Sequence, residues 1–196
     1  MKSALTQSTR VEPANQSVTG CTDAGLILVW PQLSSLFREF ELLTEDEISF
    51  TSPEARLTAF HLLLYLVSGE DGTDISPSDL SLCAFLSDLI DDENGLPEYD
   101  EFFLSQFQKE CCEVYLRAIA YKWKPLSNMP NIGLRQLFFQ RNGWIDLSSD
   151  HCLLVVQSRA QDVALRKFPW DLHDIALPWL KRTIAVEWFV DLLPDR

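Results

Sequence analysis

The most apolar stretch of the chain lies between two strong helix boundary signals. Ser52, Pro53 and Glu54 supply a capping side chain, a proline at the first helical position and an acid in the first turn. Gly69 is a typical helix stop. Residues 61–67 between these signals are apolar on every side of a helix. The pattern therefore predicts a helix over residues 52–68 that lies buried at the centre of the domain.

Three further stretches repeat apolar residues at helical spacing. Residues 31–40 follow an apolar run, 24–30, that we expect to be extended and to end where Pro31 begins the helix. The longest periodic segment covers residues 98–123. Its spacing predicts a buried face made of Phe103, Phe107, Cys111, Val114, Tyr115, Ala118 and Ile119. A short helix is predicted over residues 131–140, with Leu134, Leu137 and Phe138 pointing inward. We expect the helical part of the domain to span residues 23–125.

Beyond residue 140 the pattern changes to that of strands. Residues 144–147 and 152–157 predict a hairpin, and apolar residues alternate over 183–190. Two Pro-Trp pairs, at 169–170 and 178–179, lie between them and predict rigid corners. The expected fold is α+β and mostly helical, with several packed helices followed by a small antiparallel sheet near the C-terminus. The α/β part is expected to span residues 131–196.

The length of 196 residues, 46% of them apolar, suits one globular domain, which we place at residues 23–196. Residues 1–22 are rich in Ser, Thr, Gln and Asn, which predicts a flexible N-terminal tail. The apolar run 24–30 is far shorter than the ~20 residues of a membrane-spanning helix. A single soluble domain with a short tail is therefore the expected organisation.

The formal charge of −13 argues against binding to nucleic acid or to an anionic membrane. The five cysteines are odd in number and form no CxxC pair, which favours reduced thiols in a cytoplasmic protein. The acidic turn 91–95 lacks the ligand spacing of a calcium loop, so we predict no metal site. The composition thus points to protein partners.

Candidate chemistry is sparse. His61 lies on an apolar helix, His151 opens a strand, and His173 stands between two aspartates. Each is more simply explained as a structural side chain than as a base or ligand. No nucleophile motif, phosphate loop or dinucleotide fingerprint occurs. We therefore predict a protein that is not an enzyme and needs no cofactor.

Several short phrases nevertheless form an ordered set. They are Asp23 to Pro31, Ser52 to Ala55, His61 to Glu70, Trp123 to Asn128, Gly133 to Arg135 with Phe138, Gln140, Arg141 and Gly143, then Leu177 to Trp179 and Val186 to Trp188. This set resembles the conserved C-terminal region of contractile injection system tape measure proteins, which belong to phage-tail-like particles. The resemblance covers about residues 23 to 189.

The resemblance implies a non-enzymatic component that acts by protein–protein contact while tube and tail assemble. It implies partners within the particle (tube, cap, baseplate or AAA+ ATPase) and a place in the bacterial cytoplasm, with incorporation into the particle left open. The alternative is a soluble chaperone or adaptor for tube, cap or cargo proteins of the same system.

Two departures from the family pattern qualify the resemblance. The family usually has asparagine where Asp23 stands, and its members carry a long segment before this region, whereas about 22 residues precede it here. Even if all 196 residues were helical, they would extend only ~290 Å. We therefore expect this chain to be a terminal domain or a free-standing relative, and not itself the ruler.

The family-like positions could serve either the fold or a partner contact. They are Gly25, Trp30, Pro31, His61, Trp123, Leu134, Arg135, Phe138, Trp170, Pro178, Trp179, Glu187 and Trp188. For Pro178 and Trp179 we favour a role in the core over one as an exposed anchor, because proline beside a strand more often sets geometry.

Overall fold

The computed structural model of the chain describes residues 18–70, 81–90 and 102–188. Its helices are α1 (Trp30–Glu39), α2 (Pro53–Ser68), α3 (Ser81–Leu86), α4 (Gln106–Lys122) and α5 (Asn131–Leu134), with a π-helical turn Arg135–Phe139 continuing α5 and 3-10 helices at Ala24–Val29, Lys124–Leu126 and Ala160–Lys167. Its strands are β1 (Val18–Cys21), β2 (Gly143–Asp146), β3 (Cys152–Val156), β4 (Asp174–Ile175) and β5 (Ile184–Trp188). The predicted α+β class is confirmed.

The α2 helix is the buried centre that its boundary signals predict. The Ser52 hydroxyl accepts a hydrogen bond from the Ala55 amide at 3.1 Å, and Gly69 ends the helix at a φ of 78°, in the left-handed region that favours glycine. Leu62 and Leu63 are fully buried. The α2 helix contacts α3, α4 and the first 3-10 helix. It therefore lies at the centre of the hydrophobic core of the helical part.

The apolar run before α1 is a 3-10 helix rather than the extended segment that was predicted. All residues of Ala24–Val29 are buried. A continuous apolar run fits a buried strand and a buried helix equally well, so periodicity could not decide between them. The prediction that a helix begins at Pro31 is confirmed to within one residue, because α1 starts at Trp30.

The α4 helix is rotated relative to the prediction. Its buried residues are Cys112, Leu116, Ile119 and Ala120, whereas Phe107 and Val114 are exposed. The prediction that Cys111 lies on the buried face is also wrong, since its neighbour Cys112 is the fully buried thiol. Of the predicted face, Ile119 alone is fully buried. Residues 112, 116 and 120 share a helix face as well as the predicted set does, so spacing alone could not choose. Burial raises the pKa of Cys112 to about 12, which leaves it an unreactive thiol.

The sheet has the strand order β1-β2-β3-β5-β4 and is mixed rather than antiparallel throughout. The predicted hairpin of β2 and β3 is confirmed, but β5 pairs with β3 in parallel, Cys152 lying opposite Ile184. The predicted tail is also wrong at residues 18–21, which form β1 beside β2. Residues 1–17 lie outside the described part of the chain.

The segment after the 3-10 helix Lys124–Leu126 holds the predicted short helix in modified form. It begins as α5 and then widens into the π-helical turn. Leu134 and Phe138 point inward as predicted, but the prediction is wrong for Leu137, which is exposed, and Phe139 is buried instead. Within the described ranges, no helix combines the length and apolar character that crossing a membrane requires.

We predict that Leu63→Ala destabilises the domain by ~2–5 kcal/mol, because the lost side chain leaves a cavity beside α2. Chemical denaturation would measure the change in the free energy of unfolding. Leu57→Ala, on the same helix at a half-buried position, is the matched control and should cost less. Equal losses at the two positions would show that α2 is not the centre of the core.

Candidate interaction surface

Arg135 is a buried cation placed against the C-terminal end of α2. Its Nε donates to the Leu66 carbonyl at 3.1 Å and its Nη2 donates to the Tyr65 carbonyl at 3.3 Å. Gln140 adds a hydrogen bond from its amide to the Val67 carbonyl at 3.0 Å. The last turn of a helix leaves its carbonyls unpaired and carries a partial negative charge. The π-helical turn therefore supplies the donors and the charge that complete α2.

Glu113 balances the buried guanidinium. Its Oε1 accepts from Arg135 at 2.6 Å, and its other carboxylate oxygen accepts from the side chain of Asn131. Partial burial alone would raise the pKa of Glu113, but the hydrogen bonds from Arg135 and Asn131 outweigh it and lower the pKa. Glu113 is thus ionised at neutral pH, and α4, α5 and α2 are joined through one ion pair.

A second buried arginine lies two residues before β2. Arg141 forms a fully buried ion pair with Asp162, and its guanidinium lies 5.6 Å from the centre of the Trp188 ring. Trp188 Nε1 and the Arg159 amide both donate to the remaining oxygen of Asp162, at 2.9 and 2.8 Å. Burial, with a smaller effect of Arg159, lowers the pKa of Arg141 to about 10, so it stays charged at neutral pH. The cluster ties β5 to the helix that contains Asp162.

Gly25 lies where the first 3-10 helix meets the π-helical turn. A Cβ atom at this position would come within 1.7 Å of the Phe138 carbonyl oxygen, so only glycine fits. The neighbouring Asp23 is also buried, and its Oδ2 accepts from the Cys83 amide at 2.9 Å. Among the described residues no donor reaches its Oδ1. Burial raises the pKa of Asp23 despite the hydrogen bonds that oppose the rise.

Three tryptophans of the family-like segments form hydrogen bonds from their indole N–H groups to residues far away in the sequence. Trp123 donates to the Ala164 carbonyl at 2.9 Å, and Trp30 donates to the Asp171 carbonyl at 3.1 Å. Trp179 is buried and donates to the Leu86 carbonyl at 3.0 Å. The centre of its ring also lies 5.4 Å from the centre of the Phe37 ring. Each indole thus fills the core and satisfies a carbonyl of another element.

The three histidines lie in separate local contacts. His61 stacks on Phe102, with the two ring centres 4.4 Å apart. His151 is hydrogen-bonded to Thr183. The exposed His173 is hydrogen-bonded to Asp171. In the described residues, no group of His, Cys, Asp and Glu side chains is arranged to hold a metal. The acidic turn 91–95 lies outside the described residues. All five cysteines lie in the described part of the chain, and none of them is in a disulfide.

The positions singled out from the sequence are mostly internal. Gly25, Trp123, Leu134, Arg135, Phe138 and Trp179 are buried or closely packed, Trp30, Pro31, His61, Trp170 and Trp188 are half-buried, and Pro178 and Glu187 are exposed. The structure gathers Gly25, Phe138 and Arg135 around the π-helical turn. It does not gather the whole set into one surface. Their placement favours a role in the fold.

The exposed apolar residues of α4 form a different feature, which we call the α4 stripe. It consists of Phe107, Val114 and Tyr121, whose exposed fractions are 59%, 54% and 78%. A spacing of seven residues puts all three on one helix face. The ring centres of Phe107 and Phe40 are 5.9 Å apart, and Phe40 directly follows α1. One end of the stripe therefore adjoins α1. The sequence contained this pattern, but its apolar character was assigned to the core.

A groove of about 530 Å³ opens beside the C-terminal half of the stripe. We call it the α4 groove, and its lining is Glu113, Arg117, Ala120, Tyr121 and residues 127–131. Asn131 and Glu113 at its base belong to the ion-pair network of Arg135. The groove and the stripe share Tyr121 and form one candidate surface for contact with another protein.

A comparison with known families identifies the class. The model of the family described as contractile injection system tape measure protein matches residues 1–188, nearly the whole chain. The chain belongs to this family, and the resemblance noted in the sequence is confirmed. The family supports a structural role in a contractile injection system. No curated protein and no solved structure gave a significant match.

We predict that Trp179→Ala costs ~3–5 kcal/mol, because it removes a buried ring and leaves the Leu86 carbonyl without its donor. Thermal melting of the purified variant and particle assembly in cells should both be impaired. Trp144→Ala, at an exposed indole, is the matched control and should melt close to the unaltered chain. Normal melting of Trp179→Ala with lost assembly would instead make Trp179 a binding anchor.

We also predict that Asp23→Asn stabilises the fold at neutral pH. A carboxyl whose pKa is raised on folding stabilises the folded state most at a pH below its ordinary pKa of 3.8. This stabilisation is lost as the pH rises through the pKa of the folded state. The advantage of asparagine in urea unfolding should therefore be larger at about pH 8 than at about pH 4. Asp46→Asn, at an exposed carboxyl whose pKa is lowered by the Thr44 hydroxyl, should not stabilise. A pH-independent effect at position 23 would contradict the assignment.

Proposed function

We propose that this chain acts by protein–protein contact during assembly of the tube and tail of a contractile injection particle. It would do so as the C-terminal domain of a tape measure protein does, without catalysing a reaction and without a cofactor. Family membership over residues 1–188 supports the general role. The observation that carries the contact mechanism is the α4 stripe.

The stripe suits a protein contact on physical grounds. Phe107, Val114 and Tyr121 expose large apolar groups along one rigid helix, whose other face is anchored in the core by Cys112 and Leu116. Covering such groups is favourable, and tyrosine is among the residues in which binding energy concentrates. A partner helix or strand laid along α4 would meet all three side chains together.

The partner belongs to the same particle. Tube, cap, baseplate and AAA+ ATPase are the candidates that the family role offers. The net charge of −13 disfavours nucleic acid and an anionic membrane as the binding surface. We place the protein in the bacterial cytoplasm before assembly, and in the particle afterwards.

A chaperone or adaptor that holds tube, cap or cargo proteins before assembly would use the same surface. The two roles differ in where the chain ends up. A structural component is recovered with purified particles, whereas a chaperone is recovered only in the soluble fraction. Immunoblotting of both fractions separates the two hypotheses.

We predict that Val114→Glu reduces the yield of complete particles several-fold while leaving the domain folded, because it puts a charge into the centre of the stripe. Electron microscopy of particles from cells would measure the yield, and circular dichroism the fold. Val163→Glu is the matched control, since Val163 is also exposed but lies on the 3-10 helix Ala160–Lys167. Equal losses with both variants, or with neither, would remove the stripe from the mechanism.

A further inference from the structure

Charge is distributed unevenly over the chain. No aspartate or glutamate occurs between Val114 and Ile145, and the exposed Arg117, Lys122 and Lys124 all lie in this stretch. Residues 39–55 show the opposite bias, with six acids and no lysine or arginine. The molecule therefore carries a basic region and an acidic region, although its net charge is strongly negative.

The basic region coincides with the α4 groove. Arg117 lines the groove, and the exposed Tyr121 forms part of its wall. Glu113 is the only carboxylate in the lining, and Arg135 offsets its charge through their ion pair. The groove therefore offers space for a side chain beside an exposed aromatic ring and the exposed cation of Arg117.

The acidic region contains a loop with complementary features. Residues 44–49, which we call the acidic loop, are closed by a backbone bridge between Leu43 and Phe50. Ile48 is 62% exposed on this loop, close in sequence to the exposed Glu45 and Asp46. Its backbone amide donates to the Asp46 carboxylate, which fixes the loop locally. The loop thus presents one apolar side chain together with two carboxylates.

The two features sit toward opposite ends of α4. The acidic loop follows α1, whose neighbour Phe40 touches Phe107 in the first turn of α4. Arg117, the cation that lines the groove, lies in the C-terminal half of α4. It follows Phe107 by ten residues, which is about 15 Å along the helix. This separation favours contact between different copies of the chain over contact within one copy.

We propose that the acidic loop of one copy docks into the α4 groove of a second copy. Ile48 enters the groove beside Tyr121, and the loop carboxylates face Arg117. This inference rests on the proposed assembly role, since it names one partner for the α4 surface. The two contacting surfaces are different, so the contact is head-to-tail: in a pair, one copy keeps a free groove and the other keeps a free loop.

The net charge does not prevent this contact. At an ionic strength near 0.15 M the screening length is about 8 Å, so repulsion between whole molecules is weak beyond that distance. Opposite charges in direct contact are screened less. The association should therefore depend on salt: it should be tighter at moderate ionic strength and weaker in high salt.

The experiment is a charge exchange on the full chain, followed by sedimentation velocity. The unaltered chain should self-associate at about 100 µM, and Arg117→Glu with Lys124→Glu should weaken the association about tenfold or more. Glu41→Lys with Glu45→Lys should do the same from the other side. Mixing the two double variants should restore association, because each then offers the other a surface of opposite charge.

Lys181→Glu is the control, because it reverses a single charge at an exposed site outside both regions and is compared with Arg117→Glu alone. It should leave association unchanged, and thermal melting should show that all variants fold. A monomeric unaltered chain, association that survives the reversals, or a mixture that stays monomeric would each overturn the proposal. None of these results would contradict the proposed assembly role, because that role is tested separately by the particle yield of the Val114→Glu variant.

Discussion

The structure depends above all on the contact between Arg135 and the C-terminal end of α2. A buried guanidinium is costly unless its hydrogen bonds and charge are matched. Here two carbonyls of the last helical turn, the Glu113 carboxylate and the ring of Tyr65 match it. Gly69 leaves the space for this side chain, since a Cβ there would lie 3.2 Å from the guanidinium carbon. The central helix, α4 and the segment leading to the sheet therefore hold their positions through a single side chain.

The parts of the fold that local chemistry determines could be predicted from the sequence. Ser52 and Gly69 mark the ends of α2 because a cap and a left-handed stop act within one turn. The buried face of α4 could not be predicted, because the set containing Cys112 and Leu116 and the exposed set of the α4 stripe both have helical spacing. Which set is buried depends on where α2 lies, and spacing along one helix does not contain that information.

The sheet was harder to predict for a related reason. Strand β1 has mainly exposed side chains, and its place beside β2 comes from backbone hydrogen bonds, which leave no apolar pattern. The parallel pairing of β5 with β3 depends on how the Pro-Trp corners carry the chain back across the sheet. The candidate site was missed for the opposite reason, because apolar residues at helical spacing were assigned to the core. Exposed and buried stripes look alike until the neighbouring elements are known.

The family-like residues and the candidate surface therefore separate into two sets with different physical roles. Arg135 and Gly25 have geometric requirements that hardly any other residue meets, and Arg141 is held by matched buried charge. They build a fixed platform on which Glu113 holds α4 near the middle of the helix. The surface that α4 presents outward has no such internal constraint, so its residues can vary with the partner. A fold maintained by buried arginines and indoles can thus keep its architecture when the exposed residues of α4 change.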